Sequence, residues 1–89
     1  MASMDSIKRT IKDIAGRPRN VRYEEIDRIV RQLGDFYKVK SRRATHGTLF
    51  TVGNQHFMVS PHNPGSNQVK KYCVDDFIGA MVELGIYDD

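Results

Sequence analysis

Three histidines, His46, His56 and His62, are the proton-transfer groups of this chain, and two of them have cations or a turn-forming residue beside them. Arg42 and Arg43 lie four and three residues before His46, with Thr45 next to it; His62 follows Pro61, and Lys70-Lys71 is the last basic pair. Imidazoles near cations suit acid–base work on a phosphodiester. Metal-free RNA cleavage needs a base for the 2′-hydroxyl proton, an acid for the leaving oxygen and positive charge for the phosphorane. Histidine serves either proton-transfer role because its unperturbed pKa is about 6.5. A phosphate drawn to Arg42 and Arg43 would meet His46, whereas unbroken alternation back from Thr48 would turn that ring into the core unless Gly47 breaks the strand. His56 is expected on an open sheet face, and His62 in a loop where it contacts substrate or fixes a turn. No set of His, Cys, Asp and Glu has metal-site spacing, so neither a metal nor another cofactor is expected. Cys73 is the single cysteine and cannot close an internal disulfide; it reads as a small apolar filler at the start of a helix.

The elements that must position these groups follow from periodicity. Ile7, Ile11 and Ile14 draw one apolar stripe on a first helix capped by Asp5 or Ser6 and ended by Gly16 and Pro18. Its outer side carries Lys8, Arg9 and Lys12, and the linker adds Arg17 and Arg19. A second helix is predicted over Tyr23–Leu33, with Tyr23, Ile26, Val30 and Leu33 buried and Gly34 as its stop. Glu24, Glu25 and Asp27 lie where the helix dipole favours negative charge. After Gly34 the period becomes two: Tyr37 and Val39 alternate with Lys38 and Lys40 as a first strand, and the basic residues 41–47 read as a connection. A second strand over residues 48–52 and a third over 55–60 flank a Gly53-Asn54 turn. Phe50, Val52, Phe57 and Val59 then share the core face; Leu49, Thr51, His56 and Met58 face away. Residues 61–67 have loop composition. Val74, Phe77, Met81 and Leu84 mark a last helix, with Asp75 and Asp76 expected in its first turn and Lys70-Lys71 at its entrance.

The resulting fold class is α+β: an α-β-β-β-α unit in which two helices cover one face of a three-stranded antiparallel sheet, preceded by an extra helix. Residues 1–20 form the N-terminal helix and basic linker, and residues 21–89 the main domain. The order is that of double-stranded-RNA-binding domains, which read phosphates and 2′-hydroxyls. Eighty-nine residues allow one domain of this kind and no second. Charge is divided unevenly: the first 43 residues hold 12 Lys or Arg against 6 Asp or Glu, and the remainder 2 against 5. A basic end favours a polyanionic partner through counterion release, although small domains also carry extra lysines for solubility. No apolar run reaches membrane-spanning length and no secretory signal is visible, so a cytoplasmic protein with no membrane partner is expected. Met1 to Ser3 read as an extension ahead of a start at Met4.

From Val21 onward the sequence resembles the HicA toxins of bacterial toxin–antitoxin pairs. The matching stretches are Leu33-Gly34, Thr45-His46-Gly47-Thr48, Val59-Ser60-Pro61-His62, Lys70-Lys71-Tyr72 and Glu83-Leu84-Gly85-Ile86, in that order. The resemblance implies a double-stranded-RNA-binding-like fold, endoribonuclease activity on messenger RNA and neutralisation by a HicB-like antitoxin. It also implies His46 as the catalytic group, with Arg42, Arg43, Thr45, His62, Lys70 and Lys71 on RNA. The family's Gly-Ser-His-His signature is matched by Thr45 and His46 at its central positions, and Gly47 stands where the second histidine would be. Two other readings stay open: an RNA-binding or antitoxin-binding module of the same fold without catalysis, and a protein-interaction domain using the open sheet face.

Overall fold

The computed structural model describes residues 3–63 and 65–88. Its elements are α1 (Met4–Ala15), α2 (Tyr23–Leu33), β1 (Val39–Ala44), β2 (Gly47–Val52), β3 (Gln55–Val59) and α3 (Lys71–Glu83). The strands form one antiparallel sheet in the order β1-β2-β3. The Cα radius of gyration, 12.0 Å, equals the roughly 12 Å expected of a single close-packed unit of this length. No described helix is long and apolar enough to cross a membrane.

Burial on the sheet follows the period of two. Phe50, Val52, Phe57 and Val59 turn inward, where α3 runs against β3 and α2 lies against β1 and β2. Rings of Tyr23, Phe50, Phe57 and Phe77 form a continuous row, with successive centroids 6.0, 5.6 and 5.4 Å apart. Such tilted and edge contacts add to the area these rings bury. The opposite face carries two cross-strand rows, Lys40-Thr51-His56 and Arg42-Leu49-Met58. No helix covers it.

The first helix is part of this core. Ile7, Ile11 and Ile14 are fully buried and join the same apolar cluster as the sheet residues. α2 and α3 meet each other less than either meets α1, so the extra helix closes the gap between them. Its cap is Ser3, whose Oγ accepts from Ser6 N at 3.2 Å, in place of the expected Asp5 or Ser6. Asp5 and Ser6 already lie within the helix. Of the expected extension at the N-terminus, Met1 and Ala2 lie outside the described residues.

The linker departs from expectation at Arg17. Its guanidinium bonds Asp13 of α1 (2.7 Å), the Asn20 carbonyl (2.7 Å) and Glu25 of α2 (2.5 and 3.0 Å), so it is a clasp between helices and is withdrawn from any ligand. Glu25 also accepts from Arg22 N at 2.8 Å, which satisfies a donor at the start of α2. The Arg17 guanidinium, with help from Arg22 N–H, holds the Glu25 carboxyl below its ordinary value of 4.5.

The first strand also differs. It begins at Val39 and continues through Ser41, Arg42, Arg43 and Ala44, the residues expected to form a connection. β1 is an edge strand and all of it after Val39 is exposed. Edge strands carry charge that discourages pairing with other chains, and a strand polar on both faces has no apolar alternation to reveal it. In α3, Asp75 and Asp76 fall beyond the first turn, because the helix starts at Lys71 and its first turn contains no acidic residue.

Two measurements probe this arrangement. Ile11→Ala removes fully buried methyl groups from the junction of α1, α2 and α3, and is expected to cost about 2–5 kcal/mol in chemical denaturation; a cost within error of zero would show α1 to be dispensable. Because the folded pKa of Glu25 lies below its unfolded one, its contribution is complete above about pH 5 and is lost as pH falls through the folded value. Glu25→Gln should therefore lower stability by about 1 kcal/mol at neutral pH and flatten the acid limb of the stability curve. An acid limb identical to wild type would refute the clasp.

Candidate functional site

The turn between β1 and β2, the segment after β3 and the entrances of α2 and α3 surround a cleft of about 540 Å³. One wall is the hairpin tip. Pairing of Arg43 with Thr48 and of Ala44 with Gly47 leaves Thr45 and His46 as a two-residue turn, exposed at the cleft mouth. The turn therefore ends the alternation that would have carried His46 inward, and Gly47 opens β2 directly after it. It does so at φ +153°, and a β-carbon there would run into the Val59 carbonyl oxygen and lie 2.9 Å from Ser60 Oγ. Only glycine lets the start of β2 approach the end of β3 this closely.

The facing wall is built by main-chain bonds. Val69 N donates to Val21 O (2.9 Å), Tyr23 N to Asn67 O (2.7 Å), His62 N to Gln68 O (2.6 Å) and Lys70 N to Ser60 O (3.2 Å). The Gln68 amide adds a bond to the Arg19 carbonyl at 2.5 Å. These ties hold residues 60–62 and 67–70 against the entrance of α2, so a segment with loop composition has a fixed path. Ser60 is buried, and its N–H donates to Cys73 Sγ at 3.4 Å, which gives the single cysteine a packing role. At the base of the cleft, Tyr23 donates its hydroxyl hydrogen to the buried Thr48 Oγ1 at 3.3 Å.

The cleft gathers Arg43, Thr45, His46, His62 and Lys70 from the residues singled out in the sequence, and no carboxylate is among its described lining residues. Arg43 and Lys70 make no ion pair with any described residue. Lys70 is the N-cap of α3, whose first turn holds no acidic residue, and a helix N-terminus carries a partial positive charge that favours anions. The electrostatics therefore suit a phosphate. The hydroxyls of Tyr23, Thr45 and Ser60 and the two imidazoles supply hydrogen-bond and proton-transfer capacity in the same space.

Two expected members lie elsewhere. Arg42 projects on the uncovered sheet face opposite Leu49, because strand residues alternate and its neighbour Arg43 takes the cleft side. Lys71 is one residue into α3 and bonds Asp75 Oδ2 at 2.7 Å, the ordinary i,i+4 pairing of a helix surface. His56 is remote as well; its Nδ1 lies 3.1 Å from Thr51 Oγ1 on the open face. Conversely, Tyr23, which periodicity places in the core, also serves the cleft through its hydroxyl. A tyrosine that opens a helix with its ring in the core needs a polar partner for its other end, and that was the available signal. Among the described residues no cluster of His, Cys, Asp and Glu is arranged to hold a metal ion.

The chain matches no protein-family model, no curated protein and no solved structure. Gly47 supplies the sharpest test of the site's construction. Gly47→His, which would install a second imidazole beside His46, should destabilise the fold by about 2 kcal/mol or more, through overpacking and an unfavourable backbone angle. Thermal and denaturant melts indistinguishable from wild type would mean that β2 and β3 do not approach as described.

Proposed function

We propose that the chain is an RNA-binding, toxin-like endoribonuclease, similar in kind to the HicA messenger-RNA interferases. The observation that carries this reading is the carboxylate-free cleft in which Arg43, Lys70, His46 and His62 converge at the entrance of α3. Arg43 and Lys70 take phosphate oxygens. His46, on the turn, acts as general base or acid. As a base it removes the 2′-hydroxyl proton, the 2′-oxygen attacks the adjacent phosphorus, and the bond to the 5′-oxygen breaks as a second group protonates it. That sequence yields a 2′,3′-cyclic phosphate and a 5′-hydroxyl. His62 lies in the same cleft and contacts the RNA. The setting is the cytoplasm, with messenger RNA as substrate and a HicB-like antitoxin as the neutralising protein.

Gly47 favours a second reading, a module of the same fold that binds RNA or an antitoxin without cutting, because the position of a second imidazole is closed to any side chain. One experiment separates the two. Purified protein is incubated with end-labelled RNA in EDTA, and His46→Ala is compared with wild type. Loss of acid–base catalysis should slow cleavage about 10²–10⁴-fold; equal cleavage by the variant removes His46 from the chemistry, and RNA left intact by wild type removes catalysis altogether. Binding at increasing salt then tests the cations. Arg43→Gln and Lys70→Gln should each lower the slope of log affinity against log salt by about 0.7 on single strands, whereas Arg42→Gln and Lys71→Gln should leave it unchanged. Absence of RNA binding at low salt would defeat the nuclease and the RNA-binding module together and leave only the antitoxin-binding one.

A further inference from the structure

Tyr72 is the most exposed large apolar side chain of the described structure, at 57%. It occupies the first turn of α3, two residues beyond Lys70, and Lys70 Nζ lies 5.7 Å from the centre of its ring. Lys70 also lines the cleft. The ring is thus one side chain away from the phosphate-binding groups and still open to solvent. Burying it against the core is impossible from this position, since α3 turns Cys73, Val74 and Phe77 inward. Neither Tyr72 nor Phe36, the next most exposed aromatic, lines the cleft itself, but among the described residues only Tyr72 has a cleft-lining cation, Lys70, over its ring.

An exposed aromatic beside a cation that can take a phosphate is the basic unit of single-strand recognition. The base stacks on the ring while the backbone is held by the charge, and the contact tolerates any base because each presents a π-face. Bases of a duplex are stacked on one another and cannot use such a surface. Building on the RNA-binding reading above, we propose that Tyr72 is a stacking shelf for an unpaired base, and that the cleft therefore selects single-stranded RNA over duplex. When RNA enters, Lys70 moves its charge from the ring to the phosphate of the stacked nucleotide. Tyr72 is a specificity-determining residue in this arrangement and takes no part in proton transfer.

The test uses an uncleavable 2′-O-methyl oligonucleotide of unstructured sequence and a hairpin duplex of the same composition, with the full chain. Tyr72→Ala and Tyr72→Leu should weaken single-strand binding roughly 5- to 100-fold and leave duplex binding and the salt slope as in wild type, since no phosphate contact is removed. Tyr72→Phe should retain wild-type affinity. The chain has no tryptophan, so Tyr72→Trp supplies one reporter at the shelf, whose emission should fall on saturation with the single strand and hold steady with the duplex. Single-strand affinity unchanged in Tyr72→Ala, or tryptophan emission unmoved at saturation, overturns the shelf while leaving the RNA-binding reading intact. Failure of wild type to bind either RNA at low salt overturns that reading and the shelf with it. Because position 72 is exposed, matching thermal melts of the variants establish that altered binding does not reflect unfolding.

Discussion

The backbone ladder between the entrance of α2 and the segment after β3 is the constraint on which the cleft depends. Within residues 60–62 and 67–70 only Val69 joins the apolar core, so burial alone does not fix the path of the rest. Four main-chain hydrogen bonds fix them instead: Val69 N to Val21 O, Tyr23 N to Asn67 O, His62 N to Gln68 O and Lys70 N to Ser60 O. Each such bond is worth only about 1 kcal/mol net, yet together they determine where His62 and Lys70 stand. The ladder has its own dependence. Val21 is held because it is buried beside α1 and α2, and the linker leading to it is clasped by Arg17. The N-terminal helix thus acts on the cleft through packing, although none of its isoleucines is among the described residues that line it.

Gly47 is the matching constraint on the other wall. A side chain at this position would force β2 away from the end of β3, and the turn carrying Thr45 and His46 would move with it. The absence of a second histidine in the turn thereby has a structural reason besides any chemical one. If the site performs acid–base chemistry, its second proton-transfer group must come from across the cleft, from His62 or a hydroxyl, rather than from a neighbour along β2. The geometry thereby exchanges sequence adjacency for convergence of two walls.

Much of this fold was legible from periodicity. The boundaries of α2, the core face made by Phe50, Val52, Phe57 and Val59, and the Gly53-Asn54 turn all follow from strong apolar spacing and a glycine at positive φ. β1 was not legible beyond Lys40, because Ser41, Arg42 and Arg43 are polar on both faces of an edge strand and carry no alternation. With residues 41–47 taken as a loop, Arg42 and Arg43 looked equivalent, whereas a strand sends them to opposite faces. The pairing of Lys71 with Asp75 and of Arg17 with Glu25 was likewise hidden, since each depends on where a helix begins or how two helices approach. Tyr23 shows the converse limit: its ring was placed by pattern, but the destination of its hydroxyl depends on a strand 25 residues away.

Counting charge along the chain gives the right sign for the wrong reason. The excess of Lys and Arg in the first 43 residues includes Arg17 and Arg31, which are paired with carboxylates, and Arg42, which faces away from the cleft. The cations that line the cleft are one from that basic half and one, Lys70, from the acidic remainder. A potential inside a concave site is set by the few unpaired charges whose field is not cancelled within it. Arg43 and Lys70 meet that condition, and the acid-free first turn of α3 adds the partial charge of its unbonded N–H groups in the same direction. A chain with a net charge of only +3 can therefore still hold two unpaired cations and no carboxylate among the described residues that line one cleft.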